Sequence, residues 1–288
     1  MEIIKRRKIY LTISIILLLG SLFSLLAWGL KLGIDFTGGA LMEVTFIEEK
    51  LDNQQIQDNL SDLDLGQINI QPIGERNILL RLKEIDEDTH QEILGKLGNV
   101  REERFESIGP LIGEELKKKA IWAISLALLI IILYIAWAFR KVYRPIASWQ
   151  YGLVAIAALF HDIFITLGFF AVLGHFKEVE IGLPFVAAFL TILGYSVNNS
   201  IVIFDRVREN LLKTNWNDFK EVVNLSINQS LTRCLNTALT TLFVLLAVFF
   251  LGGESIKYFS LALIVGIIIG TYSSIFITSS LLITWYKR

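Results

Sequence analysis

The stretch that decides the fold is Ile9-Tyr10-Leu11-Thr12-Ile13-Ser14-Ile15-Ile16-Leu17-Leu18-Leu19-Gly20-Ser21-Leu22-Phe23-Ser24-Leu25-Leu26-Ala27-Trp28-Gly29-Leu30. Lys5-Arg6-Arg7-Lys8 precedes it and Lys31 closes it. A helix needs about 20 mostly apolar residues to cross a hydrocarbon core of roughly 30 Å. A secretory leader has the same basic start, but its apolar region is shorter and ends in small residues. Trp28-Gly29-Leu30-Lys31 offers no such cleavage site, so the stretch predicts a retained anchor, 9–30, behind an N-terminal segment 1–8.

Five more stretches repeat the pattern, at 120–139, 148–173, 183–204, 233–251 and 257–285. With 53% hydrophobic and 19% charged residues gathered into such blocks, the composition excludes a soluble enzyme and a disordered chain. One cysteine, Cys234, excludes an internal disulfide, and three scattered histidines argue against a zinc site. No cofactor or metal is expected. The near-zero net charge gives no sign of nucleic-acid binding. The fold class predicted is an α-helical polytopic membrane protein with six transmembrane helices.

Positive residues set the orientation. Lys5 to Lys8; Arg140, Lys141 and Arg144; Arg206, Arg208, Lys213 and Lys220; and Lys287 with Arg288 all fall on one face if the spans alternate. The opposite short loops carry Lys177 and Lys257 beside Glu178, Glu180 and Glu254. Both termini are therefore expected in the cytoplasm. Segment 205–232 mixes Val207, Leu211, Phe219, Val222 and Val223 with charges. It reads as an amphipathic helix pair on the cytoplasmic surface, broken at Thr214-Asn215, with Asn215 able to cap the second helix.

Residues 31–119 form the one large outside segment, where the apolar pattern becomes short and alternating. Strands are predicted at 41–46, 67–71, 77–82 and 100–107, and helices at 52–60 and 86–97. Pro72-Ile73-Gly74-Glu75-Arg76 reads as a turn. The order β-α-β-β-α-β is that of a ferredoxin-like module. The segment holds 19 acidic and 11 basic residues, leaving 9 acidic and 16 basic elsewhere, so the overall charge of −1 hides an acidic outside and a basic inside.

Polar side chains inside spans are costly and mark function by default. His161-Asp162 lie mid-span, Asn198-Asn199 lie about two turns before the end of the fourth span, Asp205-Arg206 stand at that end, and Arg233 opens the fifth. Interfacial anchoring also explains Asp205, Arg206 and Arg233, and a polar helix–helix contact also explains Asp162. A carboxyl at Asp162 is a plausible proton carrier. No catalytic set emerges. Gly194-Tyr195-Ser196-Val197-Asn198 lacks the second glycine of a nucleophile elbow, and nothing in spacing pairs His161 with Ser196 as a protease. No phosphate-binding loop is present. Gly266 and Gly270 suit close helix packing.

Four stretches together resemble the SecF family, one half of the bacterial SecD–SecF protein-export complex in the RND transporter superfamily. Gly33-Ile34-Asp35-Phe36-Thr37-Gly38-Gly39 is similar to the family's G-x-D-F-T-G-G signature. Glu106 to Leu116, with Gly109-Pro110 at its centre, is similar to E-S-V-G-P-x-x-G-x-E-L. Gly194-Tyr195-Ser196-Val197-Asn198-Asn199, followed by Asp205-Arg206-Val207-Arg208-Glu209-Asn210, resembles G-Y-S-x-N-D and D-R-x-R-E-N. Gly270 to Phe276 is again family-like.

The resemblance implies RND-like spans around the outside domain and a non-enzymatic subunit in the plasma membrane. Its implied role is to assist polypeptide export through the SecYEG channel, driven by the proton motive force. Implied partners are SecD, SecYEG, SecA and YajC, an unfolded exported polypeptide and membrane lipids. The family's coupling residues fall on Asn199 and Arg233, and here the sequence departs. An amide cannot exchange a proton near neutral pH where the family has an aspartate. A carboxylate from SecD, Asp162, another ion such as sodium, or weak coupling would each answer the departure. A small-molecule or lipid half-transporter and a purely structural assembly subunit are the alternative functions.

Overall fold

The computed structural model describes residues 2–48, 51–73, 75–138, 146–213 and 218–286. Arg140, Lys141, Arg144, the Thr214-Asn215 break, Lys287, Arg288 and the turn residue Gly74 lie outside the described residues. The elements in chain order are α1 (Arg7–Trp28), α2 (Ile34–Thr37), β1 (Gly39–Phe46), α3 (Asn53–Asn59), β2 (Asn69–Ile73), β3 (Asn77–Leu82), α4 (Glu87–Leu97), β4 (Val100–Ile108), α5 (Pro110–Ala138), α6 (Ser148–Lys177), α7 (Leu183–Lys213), α8 (Phe219–Leu251), α9 (Glu254–Tyr272) and α10 (Thr278–Tyr286). Two compact units result, Met1–Lys31 with Trp122–Arg288, and Leu32–Ile121.

The smaller unit is a four-stranded antiparallel sheet of order β2-β3-β1-β4 with α3 and α4. Element order and sheet order both fit the expected ferredoxin-like module. Alternation decides which face is covered: Ala40, Met42, Val44 and Phe46 of β1 and Ile78, Leu80 and Leu82 of β3 join Ile56, Leu60, Ile93 and Leu97 of the helices in one core. β2 runs two residues past its predicted end, because the sheet register carries Pro72 and Ile73 into pairs with Ile78 and Asn77. Asp52 and Asp86 stand one residue before α3 and α4 as their N-caps. The Asp86 carboxylate accepts from the Thr89 N–H at 3.0 Å, and the Thr89 hydroxyl first, then that N–H, hold its pKa below the usual carboxylate range. The Asp62 carboxylate is lowered likewise by the Lys96 ammonium, and Glu103 by the Arg101 guanidinium.

Two family-like motifs meet in this unit, and glycine is what lets them. α2 ends at Gly38, with φ +73°, where an ideal Cβ would stand 2.7 Å from Pro110 Cα. Gly39, with φ +124°, starts β1 against the Leu82 carbonyl at 2.7 Å from such a Cβ. Gly113, one turn into α5, backs onto Gly38, whose N would lie 2.9 Å from an ideal Cβ at Gly113. A side chain at Gly38 or Gly113 would separate the start of β1 from the start of α5, and one at Gly39 would push β1 from β3.

Among the described residues six helical segments are long and apolar enough to cross a membrane: Ile4–Trp28, Pro110–Ala138 (its first part, to Ile121, in the smaller unit), Trp149–Lys177, Leu183–Lys213, Phe219–Leu251 and Ile256–Tyr286. Along α1 the polarity is inverted relative to a helix of a soluble bundle. The buried residues of α1 are Ser14, Ser21 and Ser24, while Ile15, Ile16, Leu19, Phe23 and Leu26 face outward. Lipid tails are as apolar as leucine, so helices associate through small and polar residues instead. Gly168 of α6 accordingly meets Ser21 so closely that an ideal Cβ would lie 2.3 Å from the serine Cβ, and Ser24 Oγ donates to the Gly168 carbonyl at 3.0 Å. Gly266 of α9 takes Ile192 of α7 in the same way, at 2.2 Å from an ideal Cβ.

Segment 205–232 differs from its expected form. It is not a separate surface pair: α7 continues through Lys213, and Phe219 already opens α8. Val207, Phe219 and Val223 are buried in the main core with Ile3 and Ile4, and Asn210 Nδ2 donates to Ser226 Oγ at 2.8 Å. The apolar stripe is spent on neighbouring helices, leaving little for a membrane surface. The N-cap of α8 is Asp218, which accepts from the Lys220 N–H at 3.0 Å.

Candidate functional site

Four segments of the larger unit converge on one carboxylate. Asp162 sits mid-way along α6 and is 1% exposed. Its Oδ1 lies 2.9 Å from His161 Nδ1, and its Oδ2 lies 2.5 Å from Ser196 Oγ of α7 and 2.8 Å from Ser273 Oγ. His161 Nε2 lies 3.0 Å from Ser14 Oγ of α1. If the imidazole donates from Nδ1 to the carboxylate, Nε2 accepts the Ser14 proton, so a neutral ring satisfies both ends.

Ser273 reaches Asp162 because the helix between α9 and α10 makes one π turn, Ser273–Ile277. The extra residue re-aims side chains that a regular helix would turn past the site. The next serine, Ser274, donates to the Ser196 carbonyl at 3.0 Å and lies 3.1 Å from Ser200 Oγ, binding the π turn to α7. Gly270 lets the turn approach: an ideal Cβ there would lie 3.1 Å from Ser196 Cβ and 3.5 Å from Asp162 Oδ2.

The network accommodates Asp162 with or without a proton. Ionised, the carboxylate accepts from both serines. Protonated, it can donate to Ser273 Oγ, whose own proton has a second acceptor in the Gly270 carbonyl at 3.2 Å. A buried carboxyl with a partner for each state is suited to proton uptake and release.

The other predicted residues stand apart from this network. Asn199, 2% exposed on α7, has no hydrogen-bond partner for Nδ2 among the described residues; Tyr195 Oη and Thr271 Oγ1 share that condition. Asn198, Gly194 and Thr191 lie on the exposed face of α7. Arg233 is exposed on α8, on the same side as Asn236, Thr237 and Thr240, and no ion pair joins it to Asn199 or Asp162 among the described residues. Asp205 pairs with Arg208 at 3.0 Å, while Arg206 bonds Glu209 at 2.5 Å and Gln229 Oε1 at 2.7 Å. Asp35, Phe36, Thr37, Gly38, Gly39, Gly109 and Pro110 all lie in the smaller unit.

Sequence reasoning missed Ser14, Ser273 and Ser200. Their signal was available: Ser14, Ser21 and Ser24 recur on one helical face of an otherwise aliphatic span, and Ser273-Ser274 interrupts the last.

Comparison with known proteins agrees with this architecture. Residues 89–288 match the family described as "Protein export membrane protein SecD/SecF, C-terminal", and residues 23–46 match the "SecD/SecF GG Motif". The protein translocase subunit SecF of Thermobaculum terrenum is 40% identical over 100% of this chain and 94% of its own length. That of Haemophilus influenzae is 38% identical over 96% of this chain and 83% of its own. The crystal structure of SecDF, a translocon-associated membrane protein from Thermus thermophilus, superposes with a TM-score of 0.85 and 34% identity over 99% of this chain. This chain spans 38% of the length of that longer protein. With a family match over most of its length and full-length relatives of one name, the chain belongs to the SecD/SecF family of protein-export membrane proteins, in its SecF branch.

Proposed function

We propose that this chain pairs with SecD in the plasma membrane and, with both termini cytoplasmic, couples an ion gradient to polypeptide export through SecYEG. The observation that carries the coupling is the Asp162 network: a carboxyl buried at membrane depth, bonded to Ser196 of α7 and Ser273 of the π turn and, through His161, linked to Ser14 of α1, with acceptors placed for either protonation state. A proton gained or lost there alters contacts between helices rather than within one, which is what a coupling device requires. Asn199 cannot supply that titration. The exposed polar face of α7 and α8 supports the pairing, since Arg233 and Asn198 are costly against lipid and call for a protein neighbour. The acidic outer domain is suited to meeting an emerging basic or unfolded segment. The reading involves no covalent chemistry on the substrate.

The test is export and proton flux in vesicles holding SecD, SecYEG and this chain. Asp162→Asn and Arg233→Met should each lower export at least tenfold while SecD still co-purifies, and Asn199→Ala should leave flux in place. Full export with both Asp162→Asn and Arg233→Met would overturn coupling and favour an assembly subunit. Solute transport without SecYEG would favour a half-transporter.

A further inference from the structure

The two oxygens of Asp162 are not equivalent as exits for a proton. Oδ2 is shared by Ser196 Oγ at 2.5 Å and Ser273 Oγ at 2.8 Å. Ser196 Oγ has no second partner among the described residues, and the second partner of Ser273 Oγ is the Gly270 carbonyl at 3.2 Å. A carbonyl accepts a hydrogen bond but has no proton to pass on, so both contacts on this oxygen are dead ends. Ser274 and Ser200 stand nearby, yet Ser274 bonds the Ser196 backbone carbonyl and the Ser200 hydroxyl rather than the Ser196 hydroxyl.

Oδ1 has one partner among the described residues, His161 Nδ1 at 2.9 Å. The imidazole is buried, and its Nε2 lies 3.0 Å from Ser14 Oγ of α1. Each ring nitrogen therefore faces a group that can give or take a proton at hydrogen-bond distance, as a shuttle requires. Beyond Ser14 the line continues outward. Tyr272 of α9 stands beside that serine, is half-buried, and donates its hydroxyl to the Tyr10 carbonyl at 2.8 Å. The titratable groups against the ring are Asp162 of its own helix and Tyr272 of α9.

We infer that His161 is the proton relay of Asp162, exchanging protons with the α1 side through the Ser14 hydroxyl. The inference rests on Asp162 as the titrating group of the proposed coupling. In uptake the Nδ1–H bond breaks as an O–H bond forms on Oδ1, and an N–H bond forms at Nε2 with the proton of Ser14. The Ser14 hydroxyl is restored by a proton from water entering past Tyr272. The carboxylate has then gained one proton, and the ring has changed from one neutral tautomer to the other. Release is the same sequence reversed.

The test is the rate at which Asp162 exchanges its proton in the purified full chain. Time-resolved infrared spectroscopy after a pH jump reads its carboxyl band, which Asp162→Asn identifies. His161→Asn places an amide N–H where Nδ1 stands and so keeps a donor for Oδ1, but an amide cannot hand a proton on. It should slow exchange at least tenfold and leave the final extent of protonation near that of the parent. Ser14→Ala should slow exchange at least threefold. Thr166→Val, which removes a hydroxyl bonded to the Asp162 backbone carbonyl, should change it less than twofold. Exchange at the parent rate in His161→Asn would make His161 a positioning residue and overturn the relay, with Asp162 still the coupling group. Equal slowing by Ser196→Ala and Ser14→Ala would overturn the route through Oδ1. A parent with no band that Asp162→Asn removes would overturn titration at Asp162 and the relay with it. Should His161→Asn fail to fold, Ser14→Ala against Thr166→Val decides.

Discussion

Ser273 Oγ lies 2.8 Å from Asp162 Oδ2 and 3.2 Å from the carbonyl of Gly270 on its own helix. The hydroxyl therefore has one partner across the helix interface and one within its own turn. Ser196 Oγ shares the same carboxylate oxygen at 2.5 Å, so α7 and the π turn are tied to one atom of α6.

Removing that hydroxyl should separate coupling from folding. Ser273→Ala is expected to cost about 1 kcal/mol of stability, the net value of one hydrogen bond. Export should fall several-fold because protonated Asp162 loses the hydroxyl acceptor that the π turn supplies. Melting temperature and export rate on the same preparation check both; export unchanged at full melting loss would make the contact structural only.

The glycine seams should respond sterically. Gly266→Ala places a methyl 2.2 Å from the Ile192 side chain and should destabilise by about 1–3 kcal/mol. In an Ile192→Ala background the penalty should shrink by at least half, since the two sites share one volume. Thermal denaturation of the four variants measures the coupling, and additive losses would refute the shared contact.

The outer unit has its own glycine test. At Gly38 a Cβ meets both a positive φ and Pro110, so Gly38→Ala should cost more than the ~1 kcal/mol of a compatible Gly→Ala change, with opposite sign. Amide exchange in β1 should accelerate. Unaltered protection there would show that the start of β1 tolerates a side chain.

Acid should loosen α4 first at its start. The folded pKa of Asp86 is lowered by the Thr89 hydrogen bonds, so its contribution is present above the ordinary carboxylate pKa and is lost as pH falls through the lowered folded value. Exchange protection of the first turn of α4 should drop over that acidic window in the parent chain. It should already be low, and nearly pH-independent, in Asp86→Ala. A parent-like acid transition in the variant would assign the titration elsewhere.

The two units were not equally legible in the sequence. Periodicity placed the strands and helices of the outer unit within two residues, because local alternation and caps such as Asp52 and Asp86 act over a few residues. The same method placed six spans but misread 205–232, where an apolar stripe looks alike whether it meets lipid or another helix. Asp162 was visible as a charge out of place. The serines at 14 and 273 were visible as a pattern but not as its partners, since a hydroxyl in a span commonly bonds its own backbone, as Thr166 does to the Asp162 carbonyl at 2.8 Å.

The amino-acid sequence by itself determined six candidate spans, an acidic α/β module between the first two, and an asparagine at 199 in place of a titratable group. Each of these follows from length, alternation or residue type, which are local properties. Only the tertiary structure decided that Asp162 and His161 together would join α6 to α1, α7 and the π turn. Those outcomes depend on how close helices approach, and that is set by Gly168, Gly266 and Gly270 against partners far along the chain. A distance fixed by missing side chains leaves no periodic trace.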